Sequence, residues 1–135
     1  MVSEPAWIGL REALAIHERS LALFGGGPGI RDQALLESAL ARPQQHRHYA
    51  GTNDIVRLAA LYTLGIVRNH PFVDGNKRTG FLIGALFLEL NGWCFDAPEE
   101  EAAQAVLDAA AGLINEDGYE LFLGRYATRA DSLRS

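Results

Sequence analysis

Apolar positions recur at helical spacing through most of the chain. In residues 6–24, Ile8, Leu10, Leu14, Ile16, Leu21 and Leu23 are mixed with charged positions, and the run stops at Gly25-Gly26-Gly27-Pro28-Gly29. Asp32 can cap a second helix in which Leu35, Leu36, Ala39 and Leu40 share a face. Pro43, which has no amide to donate, predicts its end. Residues 44–52 read as polar and irregular. Asn53 or Asp54 can cap a third helix, with Ile55, Leu58, Ala59, Tyr62 and Ile66 on one face, running to about Asn69. His70-Pro71 ends it, because the proline ring disfavours helical backbone in the residue before it, and Asp74-Gly75 supplies turn chemistry. A fourth helix begins near Asn76. Its body, residues 81–90, is apolar on almost every face, which predicts a central position, and Gly92 suits a left-handed stop. Pro98 and Glu99, Glu100 and Glu101 fit the first turn of a helix continuing through residues 102–111, with acidic charge at its positive end. A last helix is predicted over residues 119–129. No stretch alternates as a strand would. The pattern predicts an all-α fold, a compact bundle of about six helices around the one starting near Asn76, as one domain over residues 1–135.

Composition narrows this picture. A chain of 135 residues, 48% hydrophobic, can bury one core but not two ordinary ones. A net charge of -5 argues against direct nucleic-acid binding, which uses basic surface to replace counterions. The single cysteine, Cys94, permits no internal disulfide and no thiolate zinc cluster. Met1-Val2-Ser3-Glu4-Pro5 lacks the basic start of a secretion signal, and the apolar run at residues 81–88 is too short to span a bilayer. The expectation is a soluble cytoplasmic protein without a membrane partner.

Positive charge matters in one place. Lys77, the only lysine among twelve Lys and Arg residues, stands beside Arg78 at a predicted helix start. Cations there oppose the helix macrodipole and need an anion to offset them. A first turn also leaves backbone amides without intrahelical partners, and Gly75 carries no side chain to keep an anion away from them. Polyphosphate is the natural guest. Asp74 adds a hard oxygen donor of the kind Mg²⁺ takes together with phosphate oxygens. His70 carries an imidazole, which can take a proton from an incoming hydroxyl. Phe72 is expected to turn inward and fix the loop so that His70 and Asp74 face outward. Thr79 is expected to bond the first helical turn or the ligand. The corner therefore reads as a phosphoryl- or nucleotidyl-transfer site for Mg·ATP.

The stretch His70-Pro71-Phe72-Val73-Asp74-Gly75-Asn76-Lys77-Arg78-Thr79 resembles the signature of the Fic/Doc superfamily, and its Asn76-Lys77-Arg78-Thr79 ending resembles the Doc (death-on-curing) branch. The upstream words from Arg31-Asp32-Gln33 to Ala41-Arg42-Pro43 are similar to Doc relatives as well. The resemblance implies an all-α toxin of a type II toxin–antitoxin pair, with a cognate antitoxin docking beside the site. It implies ATP-dependent phosphorylation of elongation factor Tu on a serine or threonine, which stops translation. His70 would be the general base, Asp74 the metal ligand, Gly75 and Asn76 the anion-binding turn, and Lys77 and Arg78 the phosphate ligands. Two positions depart from the Fic branch, whose members usually transfer an adenylyl group: Lys77 replaces a glycine, and Phe81 replaces a second arginine. Lys77 would crowd the approach to the α-phosphate, and without the second arginine the usual clamp on the outer phosphates is missing. A nucleotide bound in reverse would present its γ-phosphate to His70. Adenylyl transfer and a silent nucleotide- or antitoxin-binding module are the alternative readings.

Other positions carry weaker signals. His46, His48 and Tyr49 are candidates for touching substrate, and Arg68 and Asn69 for supporting the site from the end of the third helix. His17 reads as a surface residue. The Gly25 to Gly29 run lacks the Lys-Ser or Lys-Thr of a phosphate loop and reads as a flexible turn. Trp93, Cys94 and Phe95 are expected to pack rather than react.

Overall fold

The computed structural model describes residues 4–51 and 53–131; Thr52, the last position of the stretch expected to be irregular, lies outside them. Six helices form among the described residues: α1 (Leu10–Phe24), α2 (Gln33–Ala50), α3 (Ile55–Asn69), α4 (Asn76–Leu90), α5 (Glu99–Ala110) and α6 (Glu116–Tyr126). Two short strands, β1 (Trp93–Phe95) and β2 (Ala127–Arg129), pair antiparallel with Cys94 opposite Thr128. The fold is the all-α bundle that the periodicity predicts, with one small sheet added.

The middle of the bundle belongs to α3 more than to α4. Every residue from Leu58 to Val67 is buried, whereas Phe81, Leu82, Ala85 and Leu86 of α4 are only half-buried. The two helices approach closely because α4 carries Gly80 and Gly84 on the facing side. A Cβ at Gly84 would stand 2.4 Å from Thr63 Oγ1, and that hydroxyl donates to Gly80 O at 2.8 Å. This packing sets the C-terminus of α3 beside the N-terminus of α4 and leaves residues 70–75 as the tight corner between them.

Several expected boundaries move, each for a tertiary reason. Residues 6–9 are not helical, because Asn91 bonds both backbone groups of Ala6 and Tyr62 bonds both of Ile8 (Ile8 N–H to Oη, 2.9 Å). Pro43 does not end α2, which continues to Ala50 and stops at left-handed Gly51, so residues 44–50 are helical. Interior proline costs a helix about 3 kcal/mol. Here burial of Leu36, Ala39, Leu40 and Pro43 offsets it, and Gly65 of α3 lies close against Ala39, whose carbonyl has lost its usual i+4 donor at Pro43. The last helix starts earlier than residue 119, because Asn115 caps it by accepting from Gly118 N–H at 3.0 Å. It also ends earlier, where the chain pairs with Trp93, Cys94 and Phe95 as a strand. Three-residue strands are too short to leave an alternating pattern. No helix of the described residues is long and apolar enough to cross a membrane.

Candidate active site

His70 follows the last turn of α3 with φ 52° and ψ 53°, the only left-handed non-glycine residue described. An L residue with a Cβ pays roughly 1–2 kcal/mol for that backbone, so neighbours must hold it there. The segment between α1 and α2 does so. Arg31 donates from Nε to His70 O at 2.7 Å and from Nη2 to Asn69 O at 2.9 Å. The amides of Arg31 and Asp32 both reach Pro71 O, Val73 N–H reaches Gly29 O, and Ile30 pairs with Phe72 as an isolated bridge.

Asn76, 4% exposed, locks the corner from the other side. Its Oδ1 accepts from Phe72 N–H at 2.9 Å and its Nδ2 donates to Phe72 O at 2.9 Å. These two bonds fix which way the amide points, so the Nδ2 that lies 3.2 Å from His70 Nδ1 is a donor. His70 Nδ1 is then an acceptor, and the neutral ring carries its proton on Nε2. Phe72 is fully buried, as expected, while His70 and Asp74 are exposed.

Gly75 is left-handed (φ 79°) and caps α4 without a side chain; the first intrahelical bond is Thr79 N–H to Gly75 O at 2.9 Å. The amides of Asn76, Lys77 and Arg78 are therefore open to an anion. Together His70, Asp74, Gly75, Asn76, Lys77 and Arg78 line one polar cavity of about 200 Å³. Among the described residues neither Lys77 nor Arg78 forms an ion pair; the Arg78 guanidinium lies over the Phe24 ring, 4.3 Å from its centroid. Asp74 Oδ2 accepts from Gly27 N–H at 3.1 Å and Oδ1 from Gly75 N–H at 2.8 Å. These bonds, with Arg78 and His17 nearby, hold its carboxyl below the usual carboxylate range. It is thus ionised at neutral pH, and each oxygen keeps a lone pair for a cation. One exposed carboxylate beside a phosphate cradle fits Mg²⁺, which draws its remaining ligands from phosphate and water.

A larger hollow of about 700 Å³ adjoins this cavity, sharing Lys77 and Arg78 and walled by Phe24, Phe81, Val106 and Leu107 among others. Phe81 packs toward Phe95 with centroids 6.0 Å apart.

Five expected site residues stand elsewhere. Thr79 turns into the core, fully buried, with its hydroxyl unpaired among the described residues, because its position on α4 faces the bundle interior. Arg68 reaches away, to Ile114 O at 3.2 Å and Glu116 at 3.7 Å. His46, His48 and Tyr49 lie in the last turns of α2, whose first turn is the end beside Pro71, so roughly 20 Å of helix separates them from the corner. Asn69 lies at the corner, where its carbonyl accepts from Arg31 and its Nδ2 donates to Leu35 O at 3.0 Å.

His17, Phe24, Gly27 and Arg31 also stand around the corner, though the sequence predicts none of them there. His17 is not on the surface: it is 3% exposed and stacked on Phe72. The signal was present, since His17 falls on the same helical face as Leu10, Ala13, Leu14 and Leu21. The glycine run is fastened to Asp74 and Val73 through Gly27 and Gly29, a pairing that nothing in its local sequence announces.

Comparison with known proteins adds an independent line. The family described as "Fic/DOC family" matches residues 7–88, the span that carries every residue of the polar cavity. A relative named "Protein kinase doc", from Escherichia phage P1, is 35% identical over 105 residues, covering 77% of this chain and 82% of the relative. Another, "Toxin Doc" from Mycolicibacterium smegmatis, is 40% identical over 96 residues, covering 69% of this chain and 68% of the relative.

Proposed function

Because the chain belongs to the Fic/DOC family, we propose that it is a protein kinase that moves the γ-phosphate of ATP to a serine or threonine hydroxyl, and the toxin of a type II toxin–antitoxin pair. The observation that carries this reading is the N-terminus of α4, which no side chain caps, with His70, Asp74, Lys77 and Arg78 around one polar cavity. The similarity to a protein named a kinase and to one named a toxin supports the same reading. A translation factor is the proposed target, with elongation factor Tu the first to test, and a cognate antitoxin the proposed partner.

The three open amides of α4, Lys77 and Arg78 hold phosphate oxygens and spread the charge that develops on them. Asp74 would hold Mg²⁺, which supplies charge neutralisation between phosphates when bound. The apolar hollow beside Lys77 and Arg78 gives the nucleoside a wall. Phe81 leaves no cation there to clamp outer phosphates, which favours the orientation with the γ-phosphate toward His70. The substrate oxygen forms a bond to Pγ as the bond from Pγ to the β,γ-bridging oxygen breaks. ADP leaves, and the hydroxyl proton passes to His70 Nε2. That nitrogen is a base only when the ring proton sits on Nδ1, so the contact with Asn76 must loosen as substrate arrives.

The test is the intact mass of elongation factor Tu after incubation with the chain, Mg²⁺ and ATP, with His70→Ala as control. One added phosphoryl group, absent in the control, is expected. One added adenylyl group would replace the kinase reading with adenylyl transfer. No addition to elongation factor Tu or other translation factors would leave a binding module.

A further inference from the structure

We propose that His17, a residue of α1 outside the motif, is a positioning residue that sets the geometry of the Asp74–Gly75 turn and so of the phosphate- and metal-binding corner. The proposal rests on the nucleotide reading above for its consequence and on three contacts for its geometry.

His17 Nε2 lies 2.8 Å from Asp74 O. A carbonyl only accepts, so Nε2 carries the proton and donates. The ring lies flat on Phe72, centroids 3.8 Å apart and planes 9° from parallel. The turn passes directly above it, since a Cβ at Gly75 would stand 3.8 Å from ring atoms Cδ2 and Nε2. The imidazole is thus wedged between the buried phenylalanine of the corner and the backbone that caps α4.

The consequence follows from the planar trans peptide. Its C=O and N–H point in opposite directions, so pinning Asp74 C=O inward on His17 turns Gly75 N–H outward. There it meets Asp74 Oδ1 at 2.8 Å, while Oδ2 accepts from Gly27 at 3.1 Å. The carboxylate is held at the mouth of the cavity, and the open amides of α4 begin one residue later. Without the His17 donor the Asp74–Gly75 peptide can rotate, and both the carboxylate and the first amides lose their direction.

Two substitutions separate the ring from the donor. His17→Phe keeps a flat ring against Phe72 and removes the bond; His17→Gln places an amide donor at similar reach and removes the stack. Binding of Mg·ATP to the full chain is measured by titration calorimetry, and amide hydrogen exchange is followed at Gly27, Gly75 and the α3 core residues Leu58, Leu61 and Ile66. The expected result for His17→Phe is binding about tenfold weaker and exchange at Gly27 and Gly75 about tenfold faster, with α3 unchanged. His17→Gln is expected to recover most of both. Unchanged exchange at Gly27 and Gly75 in His17→Phe would overturn the proposal. So would equal acceleration in α3, or loss of the cooperative fold, because His17 would then be a general packing residue. If the wild-type chain does not bind Mg·ATP, the nucleotide reading fails, while exchange at Gly27 and Gly75 still decides the role of His17.

Discussion

Replacing Asn76 by alanine should damage both the stability and the chemistry of this protein. The side chain makes two hydrogen bonds of 2.9 Å to the backbone of Phe72, a residue with no solvent exposure. Removing it leaves a buried N–H and a buried C=O without partners, at about 1–3 kcal/mol each. The total is about 2–6 kcal/mol, since no solvent reaches Phe72 to compensate. For a domain of this size that lowers the melting temperature by roughly 6–24 °C. The left-handed backbone at His70 loses its brace from the α4 side, so turnover should fall on the order of a hundredfold or more, as misplacement of about 1 Å does. Asn76→Asp refines the test. Its second oxygen would face Phe72 O, so it should be destabilised at neutral pH and recover as the carboxyl protonates and can donate again. The assays are urea denaturation, phosphoryl transfer, and nitrogen-15 shifts of the His70 ring, which should report the proton on Nε2 in the wild type and a shift toward Nδ1 in the alanine variant. Stability of Asn76→Ala within about 0.5 kcal/mol of wild type would refute the reasoning.

Three further outcomes are expected. Lys77→Gly should raise the share of adenylyl over phosphoryl product in an assay that resolves the two by mass; an unchanged product and rate would remove Lys77 from the account of nucleotide orientation. Gly84→Ala gains about 1 kcal/mol of helix propensity but drives a methyl into Thr63 Oγ1, which its bond to Gly80 holds in place, so net destabilisation of about 1–3 kcal/mol is expected by denaturant titration. The double variant with Thr63→Ala should be more stable than the sum of the single effects predicts. Burial pushes the Tyr62 hydroxyl up to about 12 from an ordinary 10.0, because a charged phenolate would be cut off from water in the core; the contact with the Ile8 backbone works the other way and the charge of Glu12 adds to the rise. A raised pKa contributes stability that is complete below pH 10 and lost as pH rises through about 12. Alkaline unfolding should therefore begin in that window, and Tyr62→Phe should flatten it while costing about 1–2 kcal/mol at neutral pH.

The all-α fold and the chemistry of the corner were legible in the sequence because both are local. Helical periodicity survives in any helix with one buried face, and a proline, a glycine and two cations within nine residues define a helix start wherever it is placed. His70, Asp74, Gly75, Asn76, Lys77 and Arg78 meet because chain connectivity forces them to. Tertiary contacts decided the rest. Pro43 stays helical because its neighbours bury against α3, residues 6–9 are extended because Asn91 and Tyr62 satisfy their backbone, and β1 finds β2 only once α6 has ended. The same holds for what surrounds the motif. Arg31 on the carbonyls of Asn69 and His70, Gly27 on the Asp74 carboxylate and His17 beneath it come from segments 38 to 57 residues away along the chain, and a pairing at that separation leaves no local pattern to read. Local sequence supplied the polar groups of the corner, and long-range packing supplied the directions in which they point.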